Sequence, residues 1–388
     1  MIIDHLHDNK RSLQSCALVC KHWLPASRYH LFHSMSQKGT ESEYVALLEF
    51  LLDAEHIRPS IRELRFQGRI FATTLLSLLR ALPELTHFVM FNIVIDSYGT
   101  QHSWCDDLLI ALFSMAKLTE LRVCGDFLFG QPTLPLPALL ASATGLSKLT
   151  YLQSYVSHKR FMPYLWHGLA KAKSAPNVTP LRMLDVPIDL ADDDCDELIA
   201  NEFSELLSSV GEGLYTLALD FRIIEVDFFF GRSPLFQPGW RPTLTLPRDI
   251  DRVLSAIDFS PCVNLRSLEV RILLDGWVEV LSLYVVGAVL ARIPAASLEH
   301  LSIAVWNNDV LENLDISVCR GSLAHIDEVV CAFPKLKKMT FRSVSNDHGN
   351  PENDTDAALF EWIISHLPKI DQREGLIVGY AGGEVKPM

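Results

Sequence analysis

Cys16, Cys20 and His22 lie close together in the stretch SLQSCALVCKHW, residues 12–23, with His5 and His7 a short way upstream. Cysteine and histidine so near one another could hold a zinc ion or form a redox pair. The helix that the stretch predicts is unsuited to both. Residues 20 and 22 point about 200° apart on a helix and cannot share one tetrahedral metal without unwinding it. Nothing nearby except Lys21 and His22 would lower a thiol pKa. The pairs His7/Asp8 and Asp347/His348 are adjacent in sequence, so their side chains diverge on any regular element. What the stretch does carry is a stripe: Leu13, Cys16, Ala17 and Cys20 at i, i+3, i+4 and i+7, with Val19 and Trp23 on an adjoining strip. Cys16 and Cys20 are therefore expected to act as small buried hydrophobes, with Trp23 as the anchor. A lone helix of this length is marginal in water, so its apolar side wants a partner.

The chain contains no G-x-S-x-G, H-E-x-x-H, G-x-x-x-x-G-K-[ST] or G-x-G-x-x-G. No catalytic residue, metal or cofactor is expected, and the chain reads as a binding protein and not an enzyme. Its 388 residues, 49% hydrophobic and 21% charged, describe a folded chain with room for two domains or for a short module joined to an extended array. With 34 Lys and Arg against 47 Asp and Glu, the net charge is −13 and no basic block stands out, which argues against nucleic acid as a partner. The longest apolar run, residues 280–291, is too short to span a bilayer and predicts a buried helix. The N-terminal residues MIIDHLHDNKRS do not resemble a secretory signal, so the cytoplasm or nucleus is expected. Eight cysteines without a C-x-x-C pair suit reduced, mostly buried thiols.

The spacing I-x-x-x-L (Ile2, Leu6), then L-x-x-C-x-x-V-C-x-x-W (Leu13, Cys16, Val19, Cys20, Trp23) and L-F (Leu31, Phe32), resembles the F-box, a small three-helix module. The resemblance covers roughly residues 1–35. It implies that the module docks a Skp-type adaptor of a cullin-RING (SCF-type) ubiquitin ligase while the rest of the chain selects a target protein. By the same resemblance Leu6, Leu13, Cys16, Leu18, Val19, Cys20, Trp23, Leu31 and Phe32 supply the module's core and adaptor contacts. The Leu-Pro dipeptide and acidic residue that usually open the motif have no counterpart before Met1, so either a truncated motif, or adaptor binding that is weakened or lost, is expected.

Behind this module nine short segments carry apolar residues at relative positions 1, 4 and 6. They are Ile61/Leu64/Phe66, Leu85/Phe88/Met90, Leu118/Leu121/Val123, Leu149/Leu152 with Ser154 interrupting, Leu181/Leu184/Val186, Leu214/Leu217/Leu219, Leu265/Leu268/Val270, Leu298/Leu301/Ile303 and Leu336/Met339/Phe341. Their starts are mostly 31 to 38 residues apart, the signature of stacked units. Positions 4 and 6 share one face of a strand, and position 1 tucks in from the preceding turn. Helical patterns fall between them at 44–54, 74–81, 104–115, 136–147, 162–172, 194–209, 250–257, 280–293 and 323–333, with a last helix and strand over 356–370 and LIVGY. Alternating strand and helix at this period predict an α/β chain: an all-α F-box-like module over 1–38, then a leucine-rich-repeat-like solenoid over 39–388, parallel strands inside and helices outside. In it the usual strand-capping Asn or Cys is mostly missing.

If the strands line a concave face, the residues between and after the buried ones point into it. That nominates Arg65, Gln67, Phe91, Arg122, Gln153, Tyr155, Asp185, Asp220, Glu269, Arg271 and Arg342, a mixed-charge surface suited to a protein target. A longer gap holds an insertion at about 222–247 rich in Phe and Trp, including Phe229 and Trp240, that suits either docking or covering the core. The acidic runs at 192–194 and 352–356 read as helix-start charge and solvated loop. Two other readings stay open: a repeat scaffold that binds proteins without a ligase, and a cytosolic α/β enzyme.

Overall fold

The computed structural model describes residues 9–96, 103–125, 143–156, 161–175, 178–189, 196–222, 247–274, 279–294, 296–307, 316–344, 354–373 and 375–380. The chain is α/β and divides into two compact units, Met1–Leu181 and Arg182–Met388. The first unit contains the helices α1 (Lys10–Val19), α2 (Leu24–Phe32), α3 (Glu41–Asp53), α4 (Ala72–Ala81), α5 (Ser103–Phe113) and α6 (Phe161–Lys173). Its strands are β1 (Ser34–Gly39), β2 (Glu63–Phe71), β3 (His87–Asp96), β4 (Glu120–Gly125) and β5 (Tyr151–Val156), paired in parallel in chain order. The second unit contains β6 (Met183–Asp189), α7 (Asp196–Val210), β7 (Thr216–Arg222), α8 (Pro247–Ala256), β8 (Ser267–Leu274) and α9 (Glu279–Leu290). It continues with β9 (His300–Asn307), α10 (Ile316–Cys331), β10 (Lys338–Val344), α11 (Asp354–Ser365), α12 (Pro368–Asp371) and β11 (Ile377–Tyr380). These strands too pair in parallel and in chain order.

The apolar triplets build both cores. All nine are buried, including Ser154, whose hydroxyl donates to Met162 Sδ at 2.9 Å instead of leaving a polar hole. Each buried Leu, Phe or Val contributes about 1.5–3 kcal/mol relative to exposure. The helices cover the triplet face: Tyr44 of α3 meets Phe66 edge-on at 5.1 Å, Phe66 meets Phe88 at 6.0 Å, and Phe360 of α11 stacks on Phe341.

The stacking has a backbone device at the start of each strand. In the first unit the carbonyls of His33, Arg62, Thr86 and Thr119 each accept two amides from the next strand's first residues, for example Thr119 and Glu120 N on Thr86 O. The second unit repeats this at Arg182, Tyr215, Arg266 and Glu299. Thr86, Thr119 and Thr150 add a hydroxyl ladder, each donating to the carbonyl one strand back at 3.0–3.1 Å. These threonines thus bond the strand starts through side chain as well as backbone.

Several expectations change. The helix through residues 12–23 stops at Val19: Cys20 is extended, and Pro25, which cannot sit inside a continuous helix, lies in the first turn of α2. Cys16 is half-buried and Cys20 exposed, so they are not both buried hydrophobes; the early helix end turns Cys20 outward. β1, with no apolar triplet, runs across residues 38 and 39 and pairs with β2. Of the helix expected over 136–147, the end that is described forms part of a short 3-10 turn, Ala143–Lys148, and residues 136–142 lie outside the described residues. The apolar run at 280–291 becomes α9, and no helix of the described residues is long and apolar enough to cross a membrane.

Candidate functional site

Alternation along a strand sends every second residue away from the helices, and register lines these residues up in rows across the strands. In the second unit one row reads Asp185, Ala218, Glu269, Ser302, Thr340, and the next reads Pro187, Asp220, Arg271, Ala304, Arg342. Five expected partner-binding residues thus fall on neighbouring lattice points. Arg271 on β8 reaches across β7 to Asp185 on β6, binding both carboxylate oxygens at 2.7 and 3.1 Å. On β7 the register sets Ala218 beside Asp185 and Asp220 beside Arg271, and Ala218 is small enough to let the guanidinium pass over the strand. Arg342 on β10 repeats the device, crossing Ala304 and Ser302 on β9 to Glu269 on β8. Glu269 also takes Arg271 Nε, so one carboxylate joins both arginines.

The Asp185–Arg271 end of this chain of charges is enclosed. Asp185 and Asp220 are buried, and the Arg271 side chain is only 12% exposed. The expectation that Asp185, Asp220 and Arg271 form an open polar surface is corrected to this extent: bidentate pairing over small residues packs them against the sheet.

The first unit is more open. Glu63 and Arg65 on β2, and Glu120 and Arg122 on β4, pair two residues apart along their strands, like Glu269 and Arg271. Here the arginines stay accessible, Arg65 at 58% and Arg122 at 42% of the side chain. Arg122 lies 4.7 Å over the Tyr151 ring, which holds the guanidinium in place by cation–π attraction. Phe91 on β3 is 45% exposed, two register pairs beyond Val89, which lies between Arg65 and Arg122. Gln67 and Gln153 are half-buried on the same face, and Tyr151 OH lies 3.3 Å from Gln153 Oε1. The side chain of Tyr155 lies outside the described residues, as do Leu6, Phe229, Trp240 and the rest of the aromatic insertion between 223 and 246.

At the N-terminal end α1 packs on α2. Leu13 is fully buried, whereas Leu18 and Val19, at the last turn of α1, are 88% and 64% exposed. Trp23, Leu31 and Phe32 are half-buried, with Phe32 6.3 Å from Phe50 of α3.

Buried titratable groups lie elsewhere. Lys173, at the end of α6, donates to the carbonyls of Ser147, Leu149 and Thr179 at 3.0, 2.6 and 2.6 Å, and desolvation lowers its pKa to about 8. Burial, aided by Asp106 and Asp258 respectively, pushes the thiols of Cys105 and Cys262 up to about 12, so neither is a ready nucleophile. Sequence reasoning passed over Lys173, Tyr151 and the acidic partners Glu63 and Glu120. The partners did have a signal, the recurrent E-x-R spacing that puts opposite charges on one strand face.

No protein family matches the chain, and no curated protein matches it.

Proposed function

We propose that the chain is the target-recognition subunit of an SCF-type ubiquitin ligase, with the α1–α2 pair docking a Skp-type adaptor and the open strand face holding a target protein. The observation that carries this reading is the pair Leu18 and Val19. Two large apolar side chains stand in solvent on a helix that buries Leu13 on its other side. Two adjacent apolar side chains left exposed on an ordered helix suit a partner surface. Val19 belongs to the spacing that resembles the F-box, and Leu18 is among the contacts that the resemblance implies.

The repeated strand–helix unit, the buried triplets and the stacked carbonyl ladder support reading the strands as a leucine-rich-repeat-like array. In such a receptor the chain performs no bond chemistry. It raises the target's effective concentration beside the ligase's catalytic partner. The cytoplasm and nucleus, where such ligases act, fit this role.

The test is titration of a purified Skp-type adaptor into the full chain. Wild type is expected to bind, and Leu18→Asp or Val19→Asp to weaken binding at least about tenfold, the loss of a buried apolar anchor. Thermal melting should not move, because both side chains are solvent-exposed. If wild type does not bind any Skp-type adaptor, the ligase role falls and a ligase-free protein scaffold replaces it.

A further inference from the structure

We infer that the open strand face of the first unit binds an acidic extended segment of the partner protein, two carboxylates three residues apart flanking an aromatic side chain. The inference rests on the reading of the chain as a receptor and names the chemistry of what it receives.

The second unit's face is a poor competitor for such a ligand. Arg271 and Arg342 already hold Asp185 and Glu269, so an incoming carboxylate would have to displace an enclosed one. In the first unit each arginine has one acidic neighbour on its own strand and offers further N–H groups outward. Glu120 engages Arg122 only through Nε, and Glu63 engages Arg65 through Nε and one terminal nitrogen. Among the described residues, both terminal nitrogens of Arg122 and the other one of Arg65 remain for a ligand. A guanidinium offers five N–H donors in a fork that matches a carboxylate.

The spacing selects the segment. Arg65 and Arg122 occupy one register row with β3 between them. Two strand spacings separate their Cα atoms by about 9.6 Å. A polyproline-II segment turns once every three residues at about 3.1 Å each, so side chains i and i+3 lie on one edge about 9.3 Å apart. Such a segment laid across β2–β4 presents one carboxylate to each arginine. Phe91 stands two residues further along β3, about 6.7 Å toward the strands' C-terminal ends, where a side chain between the two acids can stack on it. Tyr151 on β5 holds the Arg122 guanidinium at the β5 side of its strand, so the carboxylate that meets it enters from that side.

Fluorescence anisotropy with a labelled peptide Pro-Asp-Phe-Pro-Asp-Pro-Gly and its Asn-for-Asp counterpart tests this on the full-length chain. The acidic peptide should bind, increasingly weakly as salt rises, and the Asn peptide should not. Arg65→Gln, Arg122→Gln and Phe91→Ser should each weaken binding about fivefold, the loss of one partly exposed contact, with melting temperatures unchanged because all three side chains are accessible. Failure of wild type to bind, equal binding of the two peptides, or full binding by Arg65→Gln/Arg122→Gln overturns the inference. Adaptor titration on the same preparations separates the two readings. If the adaptor binds while the peptide does not, the acidic-segment site alone falls. If the peptide discriminates as described while the adaptor does not bind, the site stands and the ligase role falls.

Discussion

Arg271 ties β8 to β6 across β7 through Asp185, and pairs with Glu269 on its own strand. Replacing it with Met leaves Asp185 buried without its counter-charge, which costs about 3–5 kcal/mol in urea unfolding. The double variant Asp185→Leu/Arg271→Met should recover most of that loss, since a well-packed apolar pair substitutes for a buried ion pair. A single-variant cost under about 1 kcal/mol would mean the pair behaves as a surface salt bridge. Lys173 allows a pH test. Its folded pKa of about 8 lies below the unfolded value of 10.5, so between these pH values the unfolded chain binds more protons and stability rises with pH. Below about pH 8 both states are protonated and the group adds no slope. Lys173→Met should abolish the slope it contributes between pH 8 and 10.5, read as the difference in unfolding free energy from wild type across that range. Neither role could be read from the residue types. Arg271 and Asp185 stand 86 residues apart, and the partners of Lys173 are backbone carbonyls, which no side-chain pattern reports.

At the scale of elements, the nine triplets were legible because burial of one strand face imposes a period of two and the preceding turn adds a third apolar anchor. Leu64, Leu121, Leu217 and Leu301 are all in the core as that pattern requires. Strand β1 was not legible: SMSQKG carries no triplet, and it is ordered by six register pairs with β2 that only the neighbour supplies. Its packing depends on Gly68. There the backbone has φ +120°, the register of β2 against β3 shifts, and an added Cβ would lie 2.1 Å from Gly39 O of β1. Gly68→Ala should therefore cost about 2 kcal/mol or more and loosen β1 first, seen as faster amide exchange at residues 34–39. An unchanged melting temperature would show that β1 yields without strain. Similarly, α1 ended earlier than its stripe suggested because Pro25 starts a new helix, and that end leaves Leu18 and Val19 in the open.

For the molecule as a whole, stacked units couple chiefly to their neighbours, so damage should remain local. Leu64→Ala, expected to cost about 2–5 kcal/mol, should lower amide protection across β1–β3 and leave β8–β10 protected as in wild type. Loss of protection everywhere would indicate a single cooperative core. The sequence alone determined the alternation of helix and strand, the parallel pairing and the buried triplets, because these follow from local periodicity and from the hydrophobic effect acting on neighbours in the chain. Only the tertiary structure decided which polar residues are enclosed and which are offered. The spacing E-x-R is the same at Glu63/Arg65, Glu120/Arg122 and Glu269/Arg271, yet only Arg271 finds a second carboxylate, across the small Ala218. Whether an arginine is a strut or a binding group depends on the strand beside it, and register, a long-range property, sets that neighbour.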